Sequence, residues 1–70
     1  MNIELLKYVV ARAGYTATTF AKRLGISRTS YYKKLEGASP FTHHDMCVII
    51  AACNLTMNEV KDIFFSKVVH

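Results

Sequence analysis

The fold of this 70-residue chain depends on residues 17–35, which read ATTFAKRLGISRTSYYKKL. The first half of this stretch predicts a short helix, because three apolar residues share one face at helical spacing: Phe20, Ala21 and Leu24. Either Thr16 or Thr18 can cap that helix. The small side chain of Ala21 lets a second helix approach closely, so the stretch predicts two helices in contact.

A short turn follows the first of these helices. Gly25 can adopt the left-handed backbone angle that a side chain would penalise, and Ile26 can insert into the core. Ser27 then caps a second helix, residues 28–36, whose end is marked by Gly37. The pattern predicts two short helices joined by a turn, a helix-turn-helix, with the N-terminus of the second helix open to a ligand.

Three further helices are predicted around this unit. Apolar residues at three-to-four spacing indicate one helix before it: Ile3, Leu6, Val10 and Ala13. Thr42 with Asp45 and Thr56 with Glu59 have the spacing of capping boxes, and they predict a fourth and a fifth helix. The five helices predict a single all-α domain over residues 1–70, with little material for an enclosed active site.

The positive charge of the chain is concentrated in its middle. Residues 16–40 contain five lysines and arginines against one acid, Glu36, and so carry the whole formal net charge of +4. A solvated surface without a partner more often mixes its signs. The segregation favours an anionic partner for this region, with plain solvation of an exposed helix face as the alternative.

These residues resemble the Cro/repressor-type (XRE) helix-turn-helix family of phage regulators. The resemblance lies in residues 20–31, FAKRLGISRTSY, and in residues 35–37 and 39–41, and it covers nearly the whole chain, from about residue 4 to residue 65. It implies a lambda-repressor-like domain of five helices whose third helix enters the major groove of a DNA operator, usually as a dimer. Lys34 departs from the family, where this position is often apolar.

The resemblance implies roles for individual residues of the helix-turn-helix, residues 17–36. Tyr31 and Leu35 are expected to face the core, so the outward positions would touch base edges: Arg28, Thr29, Tyr32 and Lys33. Arg28 suits bidentate contact with guanine, and Tyr32 can pack on a thymine methyl or reach a phosphate. Phosphate contacts, which position the protein without reading sequence, are expected at five residues: Ser27, Thr18, Lys22, Lys34 and Ser39.

Two functions from different classes fit this pattern. The first is a sequence-specific transcriptional regulator of a phage or prophage switch, which occupies a double-stranded DNA operator and excludes polymerase or a competing repressor. The alternative is an antirepressor that binds a repressor protein through the same fold, because fold does not determine function. For the regulator, a homodimer is expected, with Phe65, Val68 and Val69 as the candidate dimer surface; completion of the core is their alternative role.

The sequence does not contain the motifs that are typical of other classes of function. No glycine-rich phosphate loop, pair of catalytic carboxylates or nucleophile elbow occurs, so we expect neither an enzyme nor a cofactor. His43 and Cys47 supply two metal ligands where structural zinc needs four, so no metal site is expected, and Cys47 and Cys53 are expected to be buried thiols.

Two features of the sequence indicate where the protein is located in the cell. The longest apolar run, residues 46–53, is far shorter than the roughly 20 residues of a membrane span. The first four residues contain no basic region followed by an apolar stretch, so no secretion signal is visible. We expect a cytoplasmic protein.

Overall fold

The computed structural model describes residues 1–65 as five helices with no β-strand among them. In chain order the helices are α1 (Ile3–Arg12), α2 (Ala17–Leu24), α3 (Arg28–Glu36), α4 (His43–Cys53) and α5 (Met57–Phe64). The predicted all-α class is confirmed. The bounds of α3 are those predicted from its cap and its terminal glycine.

Polar side chains begin each helix of the described chain. The N-cap residues are Asn2, Thr16, Ser27, Thr42 and Thr56. The caps predicted at Ser27, Thr42 and Thr56 are therefore confirmed, and Thr16 rather than Thr18 caps α2. Each cap satisfies an amide that the first helical turn leaves unpaired, which stabilises a helix by about 1 kcal/mol.

Two glycines with left-handed backbone determine where α2 and α3 end. Gly25 has φ 78° and Gly37 has φ 86°, a region that residues with a Cβ rarely adopt. The amide of Gly25 donates to the carbonyl of Lys22 and that of Ile26 donates to the carbonyl of Ala21, both at 3.0 Å. Residues 25–27 therefore form the whole turn between the two helices, and α3 packs against α2.

The core lies where the inner faces of all five helices meet. Its fully buried members include Leu6, Val9, Phe20, Ile49 and Ile63, with Tyr31 at 2% exposure. Helix α1 packs on α4 and α5, and α2 packs on α3 and α4. Helix α3 contributes Tyr31 alone to the fully buried set, so most of its surface is left for other contacts.

The two cysteines have different environments. Cys53 is buried, as predicted, whereas Cys47 is exposed, so the prediction of two buried thiols is wrong for Cys47. Their separation of six positions corresponds to about 600° of rotation along a helix of 3.6 residues per turn, which puts the two side chains on different faces of α4. Only the face of Cys53 meets the core.

Candidate functional site

Five residues of α3 form one exposed surface, which we call the α3 face: Arg28, Thr29, Tyr32, Lys33 and Glu36. On the opposite side of the helix Tyr31 is buried and Leu35 is half-buried against the core. At about 100° per residue, positions 28, 29, 32 and 33 fall within an arc of about 140° around the helix axis, so the packing of Tyr31 leaves the four predicted base-contact residues together on the outward side. All four are exposed.

The α3 face begins at an open helix N-terminus. The Oγ of Ser27 accepts from the amide of Ser30 at 3.1 Å and donates to the Oγ of Ser30 at 3.0 Å. The amides of Arg28 and Thr29 have no helical carbonyl four residues earlier to bind, so they remain available to an acceptor. The partial positive charge of the helix terminus favours an anion at that place.

Cations of α2 extend this positive surface. Lys22 and Arg23 are exposed in the last turn of α2, and Thr18, another predicted phosphate contact, is exposed in its first turn. Within residues 1–65, neither of these two cations forms an ion pair, and the same holds for Arg28 and Lys33. Their charges are therefore not neutralised inside the described part of the fold.

Lys34 differs from these four cations. Its side chain is 12% exposed, and its ammonium lies 2.8 Å from the Oδ2 of Asp45. The ammonium also donates to the carbonyl of Pro40 at 3.0 Å and lies 5.8 Å from the ring centre of Phe41. The charge of Lys34 is therefore paired inside the protein, and the phosphate contact expected at this residue stays a prediction.

Asp45 joins this ion pair to the start of α4. Its Oδ2 accepts from the amide of Thr42 at 2.9 Å as well as from Lys34. Burial raises the pKa of the Asp45 carboxyl, but the hydrogen bonds from Lys34 and Thr42 lower it by more, so its pKa lies below the ordinary value. The carboxylate stays charged at neutral pH and connects the C-terminal half of α3 to the cap of α4.

Ser39 lies at the other end of α3 from Ser27. It is half-buried, and its amide donates to the carbonyl of Lys33 at 3.3 Å, which ties the turn after α3 to the helix. An open groove of about 430 Å³ borders this turn, and its lining includes Met1, Ile3, Leu35, Ser39 and Phe41. The predicted phosphate contacts Ser27 and Ser39 therefore occupy opposite ends of the exposed helix.

A chain of aromatic rings, which was not predicted from the sequence, connects the core to the α3 face. The ring centres of Tyr15 and Phe20 lie 5.1 Å apart, and those of Phe20 and Tyr31 lie 5.7 Å apart. Tyr32 continues the chain at 6.1 Å from Tyr31, and the guanidinium of Arg28 lies over the Tyr32 ring at 5.4 Å. The four-residue spacing of Arg28 and Tyr32 on a helix was the available signal.

Burial makes Tyr31 a structural rather than a reactive member of this chain. It raises the pKa of Tyr31 to about 12, with smaller effects from Cys53 and Tyr32 in the same direction. The hydroxyl therefore keeps its proton at neutral pH.

The remaining predicted residues lie away from the α3 face or outside the described residues. Phe65 follows α5 and is 69% exposed, while Val68 and Val69 lie outside residues 1–65. The Sγ of Cys47 and the Nε2 of His43 lie 3.5 Å apart on α4. In the part of the chain that the structure describes, no three potential ligands come together around a metal position.

The chain has no match among protein-family models, curated proteins or solved structures. Among residues 1–65, no helix has the length and apolar character that a membrane span requires. Function is therefore inferred from the geometry and charge of the α3 face.

Proposed function

We propose that this protein is a sequence-specific DNA-binding transcriptional regulator of the Cro/repressor type, with a lambda-repressor-like arrangement of its helices. The observation that carries the proposal is the α3 face, where Arg28, Thr29, Tyr32 and Lys33 are exposed together beside an open helix N-terminus. An α-helix with its side chains is about 10–12 Å across, and the major groove of B-DNA is about 12 Å wide. Helix α3 fits that groove.

Different residues of this surface contact different parts of the DNA. Arg28 and Thr29, in the first turn of α3, meet base edges, where an arginine can bind the O6 and N7 of guanine together. Lys22 and Thr18 of α2 and the cap at Ser27 meet the phosphates on either side of the groove, which sets the register. Lys34 is left out of the contact set because Asp45 holds it.

The distribution of charge supports a polyanionic partner. The four exposed cations of α2 and α3 form no ion pairs in residues 1–65, so DNA phosphates can replace their solvent counterions. Each phosphate contact gives a slope of about −0.9 in a plot of log affinity against log salt. Binding is therefore expected to weaken steeply as salt rises.

A regulator of this type reads a near-palindromic operator as a dimer in the bacterial cytoplasm. Two α3 helices then lie about 34–36 Å apart, one turn of duplex. Phe65, an exposed aromatic side chain at the end of α5, is the described residue that we assign to the dimer surface. The distance between the two half-sites of the selected operator therefore measures the separation of the two α3 helices.

The experiment that tests the proposal is a selection of bound duplexes from a random pool at near-physiological salt. The natural protein is compared with an Arg28→Ala, Lys33→Ala variant and with a Lys7→Ala, Lys61→Ala control, which removes the same charge from exposed positions outside α2 and α3. We expect a motif that survives in the control and disappears in the first variant. Absence of any enriched motif for the natural protein would contradict the proposal.

A second candidate function is that of an antirepressor that binds a repressor protein. The exposed pair of Arg28 and Tyr32 favours it, because arginine and tyrosine are enriched among the residues that dominate protein interfaces. If the selection yields no motif, a titration against a repressor of the same phage or prophage tests this candidate directly. Binding that Arg28→Ala abolishes would support the antirepressor, and intact binding would exclude the α3 face as its surface.

A further inference from the structure

We propose that Tyr32 acts on DNA recognition by positioning the guanidinium of Arg28, and that its ring rather than its hydroxyl carries this effect. The inference rests on the proposed function, because it concerns how the same face reads a base. It replaces the expectation that Tyr32 itself contacts a thymine methyl or a phosphate.

Aromatic contacts hold the Tyr32 ring in place. Although Tyr32 is 39% exposed, its ring lies 6.1 Å from that of Tyr31, which is 2% exposed. Tyr31 in turn meets Phe20 edge-on at 5.7 Å, and Phe20 is fully buried at the centre of the core. The ring of Tyr32 is therefore connected through two aromatic contacts to the buried core.

Within residues 1–65, Arg28 makes a cation–π contact with this ring and no ion pair. The guanidinium lies over the Tyr32 ring at 5.4 Å from its centre, within the range of a cation–π contact. In residues 1–65 it has no carboxylate partner. The acid on the same face, Glu36, is eight residues away, about 12 Å along the helix axis.

The hydrogen-bond donors of Arg28 stay available while its charge contacts the ring. A cation–π contact uses the charge of the guanidinium and leaves its N–H groups available, and these form the planar fork that binds guanine at two atoms. A long side chain that is already confined loses less freedom on binding. The Tyr32 ring therefore prepares Arg28 for base recognition while leaving its donors unused.

The test is a double-mutant cycle on the selected duplex and on a duplex with the Arg28-dependent base pair changed. The variants are Arg28→Ala, Tyr32→Leu, Tyr32→Phe and the combination Arg28→Ala, Tyr32→Leu. Leucine retains apolar packing on Tyr31 but has no π face, and phenylalanine keeps the ring and removes the hydroxyl. Comparing the two separates the ring from the hydroxyl.

The expected result is a difference between leucine and phenylalanine at position 32. Arg28→Ala weakens the selected duplex roughly 5- to 150-fold and removes the preference at one base pair. Tyr32→Leu reduces the preference at that same base pair roughly 2- to 5-fold, and Tyr32→Phe leaves it unchanged. In the Arg28→Ala background, Tyr32→Leu has no further effect.

Two results would overturn the inference. Equal losses for Tyr32→Phe and Tyr32→Leu would mean that the hydroxyl contacts DNA, and multiplicative losses for Arg28→Ala and Tyr32→Leu would mean that the two residues act independently. A loss of preference in Tyr32→Leu at a base pair other than the one that Arg28 reads would also mean that the two residues act independently.

A measurement on the free protein separates this inference from the proposed function. The NMR signals of the Arg28 side chain should be shifted upfield by the Tyr32 ring, lose that shift in Tyr32→Leu and keep it in Tyr32→Phe. A natural protein with this shift but without any selected motif contradicts the proposed function. A selected motif without the shift or the coupling contradicts the positioning role of Tyr32.

Discussion

Two arginines of this protein are each paired with a tyrosine four residues away, and their surroundings differ. Arg12 of α1 lies over the Tyr8 ring at 5.8 Å, and Arg28 of α3 lies over the Tyr32 ring at 5.4 Å. Arg12 also donates two hydrogen bonds to Glu59 of α5, at 2.5 and 3.1 Å. Arg28 has no such acceptor in residues 1–65, so the donors of Arg12 join two helices and those of Arg28 are left for a partner.

The same contrast separates the two lysines that follow Tyr32. Lys33 is exposed and makes no ion pair in the described chain, whereas Lys34 is held by Asp45 and by the carbonyl of Pro40. Adjacent residues on a helix point about 100° apart, which is enough to put one ammonium in solvent and the next against α4. The comparison shows that a cation's role depends on the acceptors around it, more than on its place in a basic segment.

The largest effect is expected from Lys34. Lys34→Met leaves Asp45 as a buried carboxylate without its cation, and breaking a buried pair in this way lowers the free energy of unfolding by roughly 3–5 kcal/mol. We expect a value near the lower limit, because the lysine side chain keeps 12% exposure. Urea unfolding followed by circular dichroism measures the change.

The control for that prediction is the exposed pair of Lys7 and Glu4. Their side chains are 54% and 89% exposed and lie 4.0 Å apart, so Lys7→Met should change the free energy of unfolding by less than about 1 kcal/mol. In a second control, Lys34→Met with Asp45→Leu removes both charges and should recover much of the lost stability. Equal effects of Lys34→Met and Lys7→Met would show that the buried pair does not stabilise the fold.

The next effect concerns the two arginines. Arg28→Ala should weaken binding to the selected duplex by about 1–3 kcal/mol and relax the preference at one base pair. Arg12→Ala should leave the affinity unchanged and lower the free energy of unfolding, because it removes the ion pair with Glu59 that joins α1 to α5. Fluorescence anisotropy titrations and urea unfolding of both variants measure the two quantities. If Arg12→Ala weakened DNA binding and Arg28→Ala lowered the free energy of unfolding instead, the roles assigned to the two arginines would be wrong.

A smaller effect is expected on the salt dependence of binding. Lys22→Met removes one phosphate contact and should make the slope of log affinity against log salt less steep by about 1. Lys34→Met should leave the slope unchanged, since the ammonium of Lys34 is already neutralised by Asp45. Titrations from low to physiological salt give both slopes. A reduced slope for Lys34→Met would place Lys34 among the phosphate contacts after all.

The smallest effect is a pH dependence of stability at the Arg12 pair. The hydrogen bond from Arg12, followed by that from the Thr56 amide, lowers the pKa of Glu59 from its ordinary value of 4.5 to about 2. The contribution of the pair to stability is therefore complete above the ordinary pKa and is lost as the pH falls toward 2.

The pH prediction is checked by the difference between the natural protein and Glu59→Gln. The free energy of unfolding of the two proteins should differ most above pH 5, and the difference should shrink as the pH falls. Asp45, whose pKa is also lowered, contributes in the same direction in both proteins and cancels in the comparison. A constant difference across this range would mean that the Glu59 charge does not contribute.

Much of the helical framework could be predicted because its signals are local. A cap such as Ser27 binds an amide three residues away, and a terminal glycine such as Gly37 is needed at its own backbone angle, so both depend on residues within one turn. The capping boxes at Thr42 and Thr56 are present for the same reason. The exposure of Arg28 and Thr29 could also be predicted from the sequence. Once Tyr31 is known to face the core, the periodicity of a regular helix determines which residues of α3 face outward.

Long-range contacts decided the rest. Lys34 meets Asp45, eleven residues away, only after the turn through Pro40 has brought the start of α4 against α3. Arg12 and Glu59 are forty-seven residues apart and become partners when α1 packs on α5. The exposure of Cys47 likewise depends on which face of α4 the other helices cover.

The sequence by itself determined the five helices, the limits of α3 and the residues that face outward on α3, since hydrogen bonds within four residues and helical periodicity specify all of these. Only the tertiary structure decided which positive charges of residues 1–65 are paired with an acid. The charge of a lysine or arginine is neutralised by whatever acid the fold places within a few ångströms of it. For Lys34 and Arg12 that acid is on another helix.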